Sequence, residues 1–265
     1  MSIPSKPVLL TGASGALGRV LTRALAEKGW TLRLTDIAPF PDEVPPGASF
    51  EQADIVDRHA VARLAEGCGA ILHFGGVSVE RPFDEVVGPN IAGLYNVYEA
   101  ARAAGARVLF ASSNHTIGFH DRSTTIDSES PFRPDGYYGA SKVWGEMMGR
   151  LYWHKHEVES VLVRIGSCFP KPVDARMLAT WLSYDDLSRL CERAVLADST
   201  GCIVVWGASR NSRMTWWQGD DRETIGWEPK DSADDFADEV SGKLSGDPFV
   251  ERHQGGAYVA IDRSA

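Results

Sequence analysis

A tyrosine and a lysine four residues apart, Tyr138 and Lys142, are the residues of this chain best suited to acid–base chemistry. Residues at i and i+4 share one face of a helix, so both side chains can reach the same pocket. A phenol has an ordinary pKa near ~10, and a neighbouring cation lowers that pKa by stabilising the phenolate. The spacing predicts Tyr138 as a general base assisted by Lys142, and the alternative is a solvated pair on a helix surface. Tyr137 is a second phenol, but it lies one position further from Lys142 and off that face.

A glycine-rich segment follows the first apolar strand of the chain. Pro7–Thr11 predicts a buried strand, residues 12–18 form a loop with glycines at three positions, and a helix runs through about Gly29. Such a loop brings backbone amides and a helix N-terminus against a pyrophosphate. The second strand, Thr31–Asp36, ends in a carboxylate roughly 20 residues after the loop, where an acidic residue binds the adenosine ribose. Because Asp36 also repels a 2′-phosphate and no arginine follows it directly, the sequence favours NAD over NADP.

Further strand-and-helix units extend this pattern. Ala70–Phe74, Arg107–Ala111 and Val158–Ile165 predict the fourth, fifth and sixth strands, and Ile91–Ala104 predicts a long helix before the fifth strand. Polar residues follow several strand ends. Six such units in order predict an α/β fold with a Rossmann-type, doubly wound parallel sheet. Residues 1–165 would form the cofactor-binding core with the catalytic residues. Residues 166–265 would form a small C-terminal substrate-binding cap packed on it, with a helix near 184–197, a strand at 202–206 and a charged helix near 231–243.

Composition excludes several classes of function. The net charge of -9 across 265 residues disfavours nucleic acid and anionic membranes as partners, so an anionic ligand must be met by a few placed cations or helix N-termini. The four cysteines have no metal-type spacing, and His154 and His156 lack further ligands nearby, so no metal site is predicted. No apolar run approaches the ~18 residues of a membrane span, and no export signal is apparent. We therefore expect a cytoplasmic protein.

The combined motifs resemble those of the extended short-chain dehydrogenase/reductases, also described as the NAD-dependent epimerase/dehydratase family. The glycine loop reads T-G-x-x-G-x-x-G, and it is joined by Asp36, Ser113 and the Tyr138/Lys142 pair. Within that family the sequence is most similar to the members that oxidise hexuronates. The similarity lies in these stretches: Gly75–Glu80, Asn90–Asn96, Ser112–Gly118, Arg133–Gly136, Arg164–Cys168, Arg176–Leu178, Val205–Ser209 and Gly226–Lys230.

The resemblance implies NAD-dependent oxidation of D-galacturonate or D-glucuronate at C1, yielding an aldarolactone, by a homo-oligomer. The catalytic residues would be Tyr138, Lys142 and Ser113. Substrate would be bound by Ser78, Ser113, Asn114, His115, Tyr138, Ser167 and Arg176, of which Ser78, Ser167 and Arg176 would receive its carboxylate. The cofactor would be bound by Gly12, Ser14, Gly15, Ala16, Leu17, Gly18, Asp36, Asp54, Ile55, Phe74, Gly75, Gly76, Asn90, Ser112, Tyr138, Lys142 and Ile165.

Other interpretations remain open on the sequence. The same fold and Tyr/Lys pair occur in nucleotide-sugar epimerases and dehydratases, and a non-catalytic NAD-binding regulatory protein could retain the fold. Arg176 could instead pair with Asp174 or Asp186 at the surface, although as a carboxylate-binding residue it should be partly solvated. His73, inside a strand, is interpreted as a hydrogen-bonded core histidine. The tryptophans of the C-terminal third favour aromatic packing over a stacking site for nucleic acid.

Overall fold

A seven-stranded parallel sheet forms the centre of the computed structural model, which describes residues 3–263. The strands are β1 (Val8–Thr11), β2 (Leu32–Asp36), β3 (Ala48–Gln52), β4 (Ala70–His73), β5 (Arg107–Ser113), β6 (Ser160–Ile165), β7 (Ser167–Cys168), β8 (Trp181–Leu182) and β9 (Cys202–Gly207). Seven of them form the main sheet in the order β3-β2-β1-β4-β5-β6-β9, and β7 pairs with β8 in a separate two-stranded sheet.

Every neighbouring pair in the main sheet is parallel. Parallel strands of this kind are covered on both faces, which explains why β1, β4 and β6 are buried throughout. The strand order reverses between β1 and β4, and a ligand crevice is expected at the carboxyl ends of the strands at such a switch point. The predicted doubly wound parallel sheet is confirmed.

Helices cover both faces of the sheet. One apolar cluster packs α1 (Ala16–Glu27) and α7 (Tyr184–Leu196) on one face, with Leu21 and Leu187 fully buried. A second cluster packs α2 (Arg58–Ala65), α4 (Leu94–Ala104) and α5 (Tyr137–His156) on the other face. The short helices are α3 (Phe83–Val87), α6 (Met177–Thr180), α8 (Ala237–Val240) and α9 (Pro248–Arg252). Within residues 3–263 no helix combines the length and apolarity that a membrane crossing requires.

The observed elements differ from the sequence-based ones at three places. No sequence pattern predicts the third strand, β3, because its residues are half exposed at the sheet edge and form no apolar run. The helix predicted from residue 91 starts earlier, as a π-helical turn over Gly88–Gly93. The charged helix predicted near 231–243 is shorter and partly 3-10: a 3-10 turn at Ala233–Phe236 continues into α8, and residues 241–242 already turn.

The C-terminal part contributes to the main sheet as well as lying over it. β9 pairs in parallel with β6, from the pair Ser160 and Cys202 to the pair Ile165 and Gly207. A small apolar cluster joins α6, Trp181 and α8 outside the sheet. The division into residues 1–165 and 166–265 stays a prediction, since one strand of the second part completes the sheet of the first.

Candidate functional site

A cleft of about 940 Å³ opens at the carboxyl ends of the central strands. Its lining includes every predicted site residue except Asn90, together with further residues from the C-terminal segment such as Gly255 and Tyr258. The glycine loop, the end of β4, the end of β5 and the start of α5 thus meet in one cavity, as the sequence predicted. The cleft lies at the switch point of the sheet, where ligands of such folds bind.

The glycine loop packs so closely on the sheet that side chains are excluded. Gly12 has a φ of +74°, and a Cβ there would lie 2.5 Å from the Phe74 carbonyl. A Cβ on Gly18 would lie 2.1 Å from the Gly12 carbonyl oxygen, so α1 can approach the loop only without one. Gly15 precedes α1 and provides no side-chain cap for its first amides. These amides remain available to an anion, which fits the pyrophosphate of a dinucleotide.

Asp36 is held in a fixed orientation at the edge of the cleft. Its two carboxylate oxygens accept hydrogen bonds from the backbone N–H groups of Ser14 and Ala38, each at 3.0 Å. The carboxylate therefore links the end of β2 to the glycine loop. Its placement suits a pair of ribose hydroxyls, as predicted.

Thr11 and His73 support the same wall of the cleft from inside the sheet. The Thr11 hydroxyl lies 2.7 Å from His73 Nδ1 and accepts a hydrogen bond from the Gly75 N–H at 3.1 Å. Burial lowers the pKa of His73 to about 3, so the ring is neutral. The interpretation of His73 as a hydrogen-bonded core histidine is confirmed. Through the Thr11 hydroxyl, these hydrogen bonds also hold the backbone of Gly75 at the end of β4.

Asn90 is not among the residues that line the cleft, and its contact with the cofactor stays a prediction. Its amide oxygen accepts from the Val77 N–H at 2.8 Å, while its amide nitrogen donates to the Val77 carbonyl at 3.0 Å and to the Ser141 hydroxyl at 2.9 Å. These bonds use most of the hydrogen-bonding capacity of the amide. Asn90 therefore ties the loop after β4 to α5 from behind, a role that spacing alone could not separate from direct contact.

The two adjacent tyrosines at the start of α5 have different surroundings. Tyr138 is only 7% exposed and faces the cleft, whereas Tyr137 is 53% exposed and packs edge-on against Phe83. Glu80 accepts hydrogen bonds from the N–H groups of both tyrosines, at 2.8 and 2.9 Å. A carboxylate at a helix N-terminus accepts from the free amides and interacts favourably with the positive end of the helix dipole. Glu80 thus fixes the first turn of α5 and with it the Tyr138 ring.

The electrostatic surroundings of Tyr138 differ from the expectation. Burial raises the pKa of the Tyr138 phenol well above its usual value, and the nearby Ser113 hydroxyl only partly offsets this. Lys142 Nζ lies 5.5 Å from the Tyr138 ring centroid and 4.9 Å from that of Phe110. Burial lowers the pKa of Lys142 to about 8. The predicted lowering of the phenol pKa by Lys142 is therefore outweighed by desolvation in this geometry.

Two serines end β5 with different roles. Ser113 lies in the cleft and its hydroxyl accepts from the His115 N–H at 3.1 Å. Ser112 also lines the cleft, but its hydroxyl donates to the buried Glu146 carboxylate at 2.6 Å. Glu146 in turn pairs with Arg164 at 2.9 Å, and both side chains are at most 1% exposed. This buried ion pair joins α5 to β6 directly beneath the catalytic candidates.

Arg176 presents a cation to the cleft without a carboxylate partner in the described part of the chain. Its Nε donates to the Gln254 carbonyl at 2.7 Å and one terminal nitrogen donates to the Ser167 hydroxyl at 3.0 Å. The other terminal nitrogen donates to the Asn114 side-chain oxygen at 2.6 Å, with the amide oriented so that its nitrogen donates to the Ile165 carbonyl. Burial lowers the pKa of Arg176 to about 10, so it stays charged. The alternative of a surface pair with Asp174 or Asp186 is not what the structure shows.

His115 lies between two aromatic rings and a buried carboxylate that the sequence analysis did not single out. Its Nδ1 is 2.8 Å from an oxygen of Asp135, and its ring stacks on Tyr258 with centroids 3.8 Å apart. The Tyr138 ring meets it edge-on at 5.8 Å. Asp135 lies in the stretch Arg133–Gly136, which resembles the family, but no local pattern marks Tyr258 or Gln254. They reach the site only because the C-terminal segment folds back over it.

No cluster of three or more potential metal ligands occurs among residues 3–263. The four cysteines are unpaired, and burial raises the pKa of Cys168, which lines the cleft, above the usual thiol range.

Comparison with known proteins identifies the family. Residues 8–213 match the model of the NAD dependent epimerase/dehydratase family. The uronate dehydrogenase of Pseudomonas syringae pv. tomato is 48% identical over 261 residues, covering 97% of this chain and 94% of that one. The crystal structure of uronate dehydrogenase from Agrobacterium tumefaciens is similar with a TM-score of 0.91 at 45% identity, over 98% of both chains. A tyrosine-to-alanine mutant of that enzyme, complexed with NAD, also gives 0.91, at 44% identity. The chain therefore belongs to the uronate dehydrogenases of the NAD-dependent epimerase/dehydratase family.

Proposed function

We propose that this chain catalyses the NAD-dependent oxidation of D-galacturonate and D-glucuronate at C1 to the corresponding aldarolactone. The single observation that supports this most is Arg176, a cation in the cleft whose hydrogen-bond partners are all neutral. A partly buried charge without a counter-ion is costly, and an anionic substrate would supply the missing partner. A hexuronate combines such a carboxylate with an anomeric hydroxyl at the other end of the ring.

At the anomeric end, Tyr138 takes the proton of the C1 hydroxyl while Ser113 hydrogen-bonds the same oxygen. Bound NAD supplies the hydride acceptor, and the positive charge of its nicotinamide favours the phenolate that burial alone disfavours. Lys142 would hold the hydroxyls of the nicotinamide ribose. Loss of a proton to Tyr138 and of a hydride from C1 together convert the hemiacetal to a lactone.

At the acidic end, Arg176 pairs with the substrate carboxylate, and Ser167 and Ser78 hydrogen-bond it. Ser167 already accepts from Arg176 at 3.0 Å, so hydroxyl and guanidinium are aligned before substrate arrives. Asn114 and His115 meet the ring hydroxyls between the two ends. In this arrangement the substrate carboxylate is held by Arg176, and the sugar ring sets the distance from that carboxylate to C1. C1 is thereby placed beside Tyr138.

A substrate panel tests the proposal. Purified protein is given NAD with D-galacturonate, D-glucuronate, the neutral aldoses D-galactose and D-glucose, or UDP-sugars, and NADH formation is followed by absorbance. We expect NADH and lactone from both uronates and at least tenfold lower kcat/KM with the neutral aldoses. A nucleotide-sugar epimerase would instead interconvert UDP-sugars without net NADH. That result, or no turnover of uronates, would contradict the proposal.

Tyr138→Phe separates a catalytic from a regulatory role. Removing the phenol hydroxyl should lower kcat by roughly 10²–10⁴-fold, the usual contribution of a general base, while the Kd for NAD stays within about twofold. Tyr137→Phe is the matched control, since it makes the same change one residue away on an exposed ring. Full activity in Tyr138→Phe would remove this residue from the reaction.

Two expectations from the sequence stay predictions. A homo-oligomeric assembly is measurable by light scattering on the purified protein. A cytoplasmic location is measurable by cell fractionation.

A further inference from the structure

The Asp135 carboxylate occupies a space that would be filled if the neighbouring residues were not glycines. A Cβ on Gly118 would lie 1.8 Å from the Asp135 carboxylate, one on Gly255 would lie 2.0 Å from it, and one on Gly139 would lie 3.2 Å from it. Gly118 and Gly255 are joined by a backbone hydrogen bond of 2.8 Å. The side chain of Asp135 is fully buried as a result. Three separate segments thus approach this carboxylate without side chains of their own.

The carboxylate has one polar partner in the described part of the chain, the imidazole of His115. One oxygen lies 2.8 Å from His115 Nδ1, and the other oxygen is buried with no hydrogen-bond partner. Lysine or arginine forms no ion pair with it within residues 3–263. A buried carboxylate that is only half satisfied costs stability, and such groups are found where function rather than folding requires them. Asp135 is therefore poorly explained as a purely structural residue.

The backbone and ring contacts of His115 leave its orientation little freedom. Its carbonyl accepts from the Asp135 N–H at 3.3 Å, and a Cβ on Gly139 would lie 2.3 Å from that carbonyl oxygen. The ring is held between Tyr258, stacked at 3.8 Å, and Tyr138, edge-on at 5.8 Å. With Nδ1 directed at Asp135, the second ring nitrogen, Nε2, is left for the cleft that His115 lines.

A carboxylate can only accept, so the proton of the neutral imidazole must lie on Nδ1. Nε2 then presents a lone pair to the cleft and accepts a hydrogen bond from a hydroxyl. In the opposite tautomer the proton lies on Nε2, which would then present an N–H to the cleft. The lone pair of Nδ1 would face a lone pair of the Asp135 carboxylate, which is repulsive. The choice between accepting from a sugar hydroxyl and donating to one is thus made by Asp135.

We propose that Asp135 is a positioning residue of the reaction: it fixes the Nδ1–H tautomer and the ring orientation of His115, so that Nε2 accepts a hydrogen bond from a ring hydroxyl of the sugar. The inference rests on the proposed uronate oxidation for its kinetic part. Its tautomer part depends on the protein alone. Asp135 touches neither substrate nor cofactor in this role and acts through His115.

The first test measures the tautomer directly. ¹⁵N-histidine-labelled protein is examined by two-bond nitrogen–proton correlation NMR at alkaline pH, with His115→Gln identifying the signals of His115. We expect an Nδ1–H pattern in the wild type and an Nε2–H or mixed pattern in Asp135→Asn, because the amide can donate to Nδ1. An Nε2–H pattern in the wild type would overturn the proposal whether or not uronates are substrates.

The second test is a double-mutant cycle on kcat/KM for galacturonate. Asp135→Asn should lower kcat/KM about tenfold, or about 1.4 kcal/mol, with the Kd for NAD unchanged. In the His115→Gln background the same change should cost less than about twofold, since the residue acts through the imidazole. Asp127→Asn, on an exposed carboxylate of the same loop, is the matched control and should leave activity unchanged. Equal costs in both backgrounds would indicate a merely structural residue.

Discussion

Replacing Arg176 by glutamine tests the anion-binding end of the cleft most sharply. Glutamine keeps a polar side chain but removes the charge, whose present partners are Gln254, Ser167 and Asn114. Hydrogen bonds to charged groups contribute about 1.5–3 kcal/mol each, so losing the carboxylate contact should cost about 2–4 kcal/mol of transition-state binding. That corresponds to a decrease of roughly 30- to 1000-fold in kcat/KM for galacturonate.

The informative quantity is the ratio between a uronate and its neutral counterpart. D-Galactose has the same ring hydroxyls as D-galacturonate but no carboxylate, so its low kcat/KM should change less than about threefold in Arg176→Gln. Arg176→Lys keeps the charge without the planar fork and should fall between the wild type and the glutamine variant. Thermal unfolding and NAD titration confirm that each variant is folded. Equal losses with both sugars would show that Arg176 only braces Ser167 and Gln254, and the substrate argument would fail.

Three further outcomes follow from the site. Asp36→Ala should weaken the binding of NAD and raise the ratio of kcat/KM with NADP to kcat/KM with NAD, because the carboxylate that repels a 2′-phosphate is gone. Steady-state kinetics measure this ratio, and a wild type that already prefers NADP would contradict the prediction. Burial places the pKa of Lys142 below its ordinary value, at about 8, so its charge is present below that pH and lost above it. NAD affinity should therefore fall as pH rises through about 8, and Lys142→Met should bind NAD weakly without this pH step. Arg164→Met should cost about 3–5 kcal/mol in urea unfolding by leaving Glu146 charged and unpaired, and adding Glu146→Leu should recover most of it.

The parts of the fold that the sequence predicted are those with strong local patterns. β1, β4 and β6 are short apolar runs bounded by turns, and the glycine loop between β1 and α1 has a fixed spacing that a dinucleotide requires. β3 was not predicted because an edge strand with exposed residues has no apolar run. The helix predicted near residues 231–243 is shorter in the structure, since its aspartates have low helix propensity and Gly242 follows soon after the last buried residue, Val240.

Residues of the site were predictable when they lie at strand ends or on α5, and were missed when tertiary folding brings them in. Tyr138 and Lys142 share a helical face, so their meeting follows from spacing. Tyr258 and Gln254 come from a segment far along the chain, and nothing local marks them as neighbours of His115 and Arg176. The sequence also carries no sign that the Asn90 amide bonds the backbone of Val77, because that contact depends on how the loop after β4 folds.

The charge distribution explains how an acidic protein can select an acidic sugar. A net charge of -9 repels a uronate at long range, but salt screens exposed charges beyond a Debye length of about 8 Å at physiological ionic strength. Selection is then decided inside the cleft, where the partly buried Arg176 is surrounded by neutral groups and its field is little screened. A neutral aldose gains nothing from that field, whereas a uronate is the counter-ion that the guanidinium lacks. Substrate preference in this chain should therefore be nearly independent of its overall charge: neutralising exposed carboxylates far from the cleft should alter the salt dependence of kcat/KM while leaving the uronate-to-aldose ratio within about twofold.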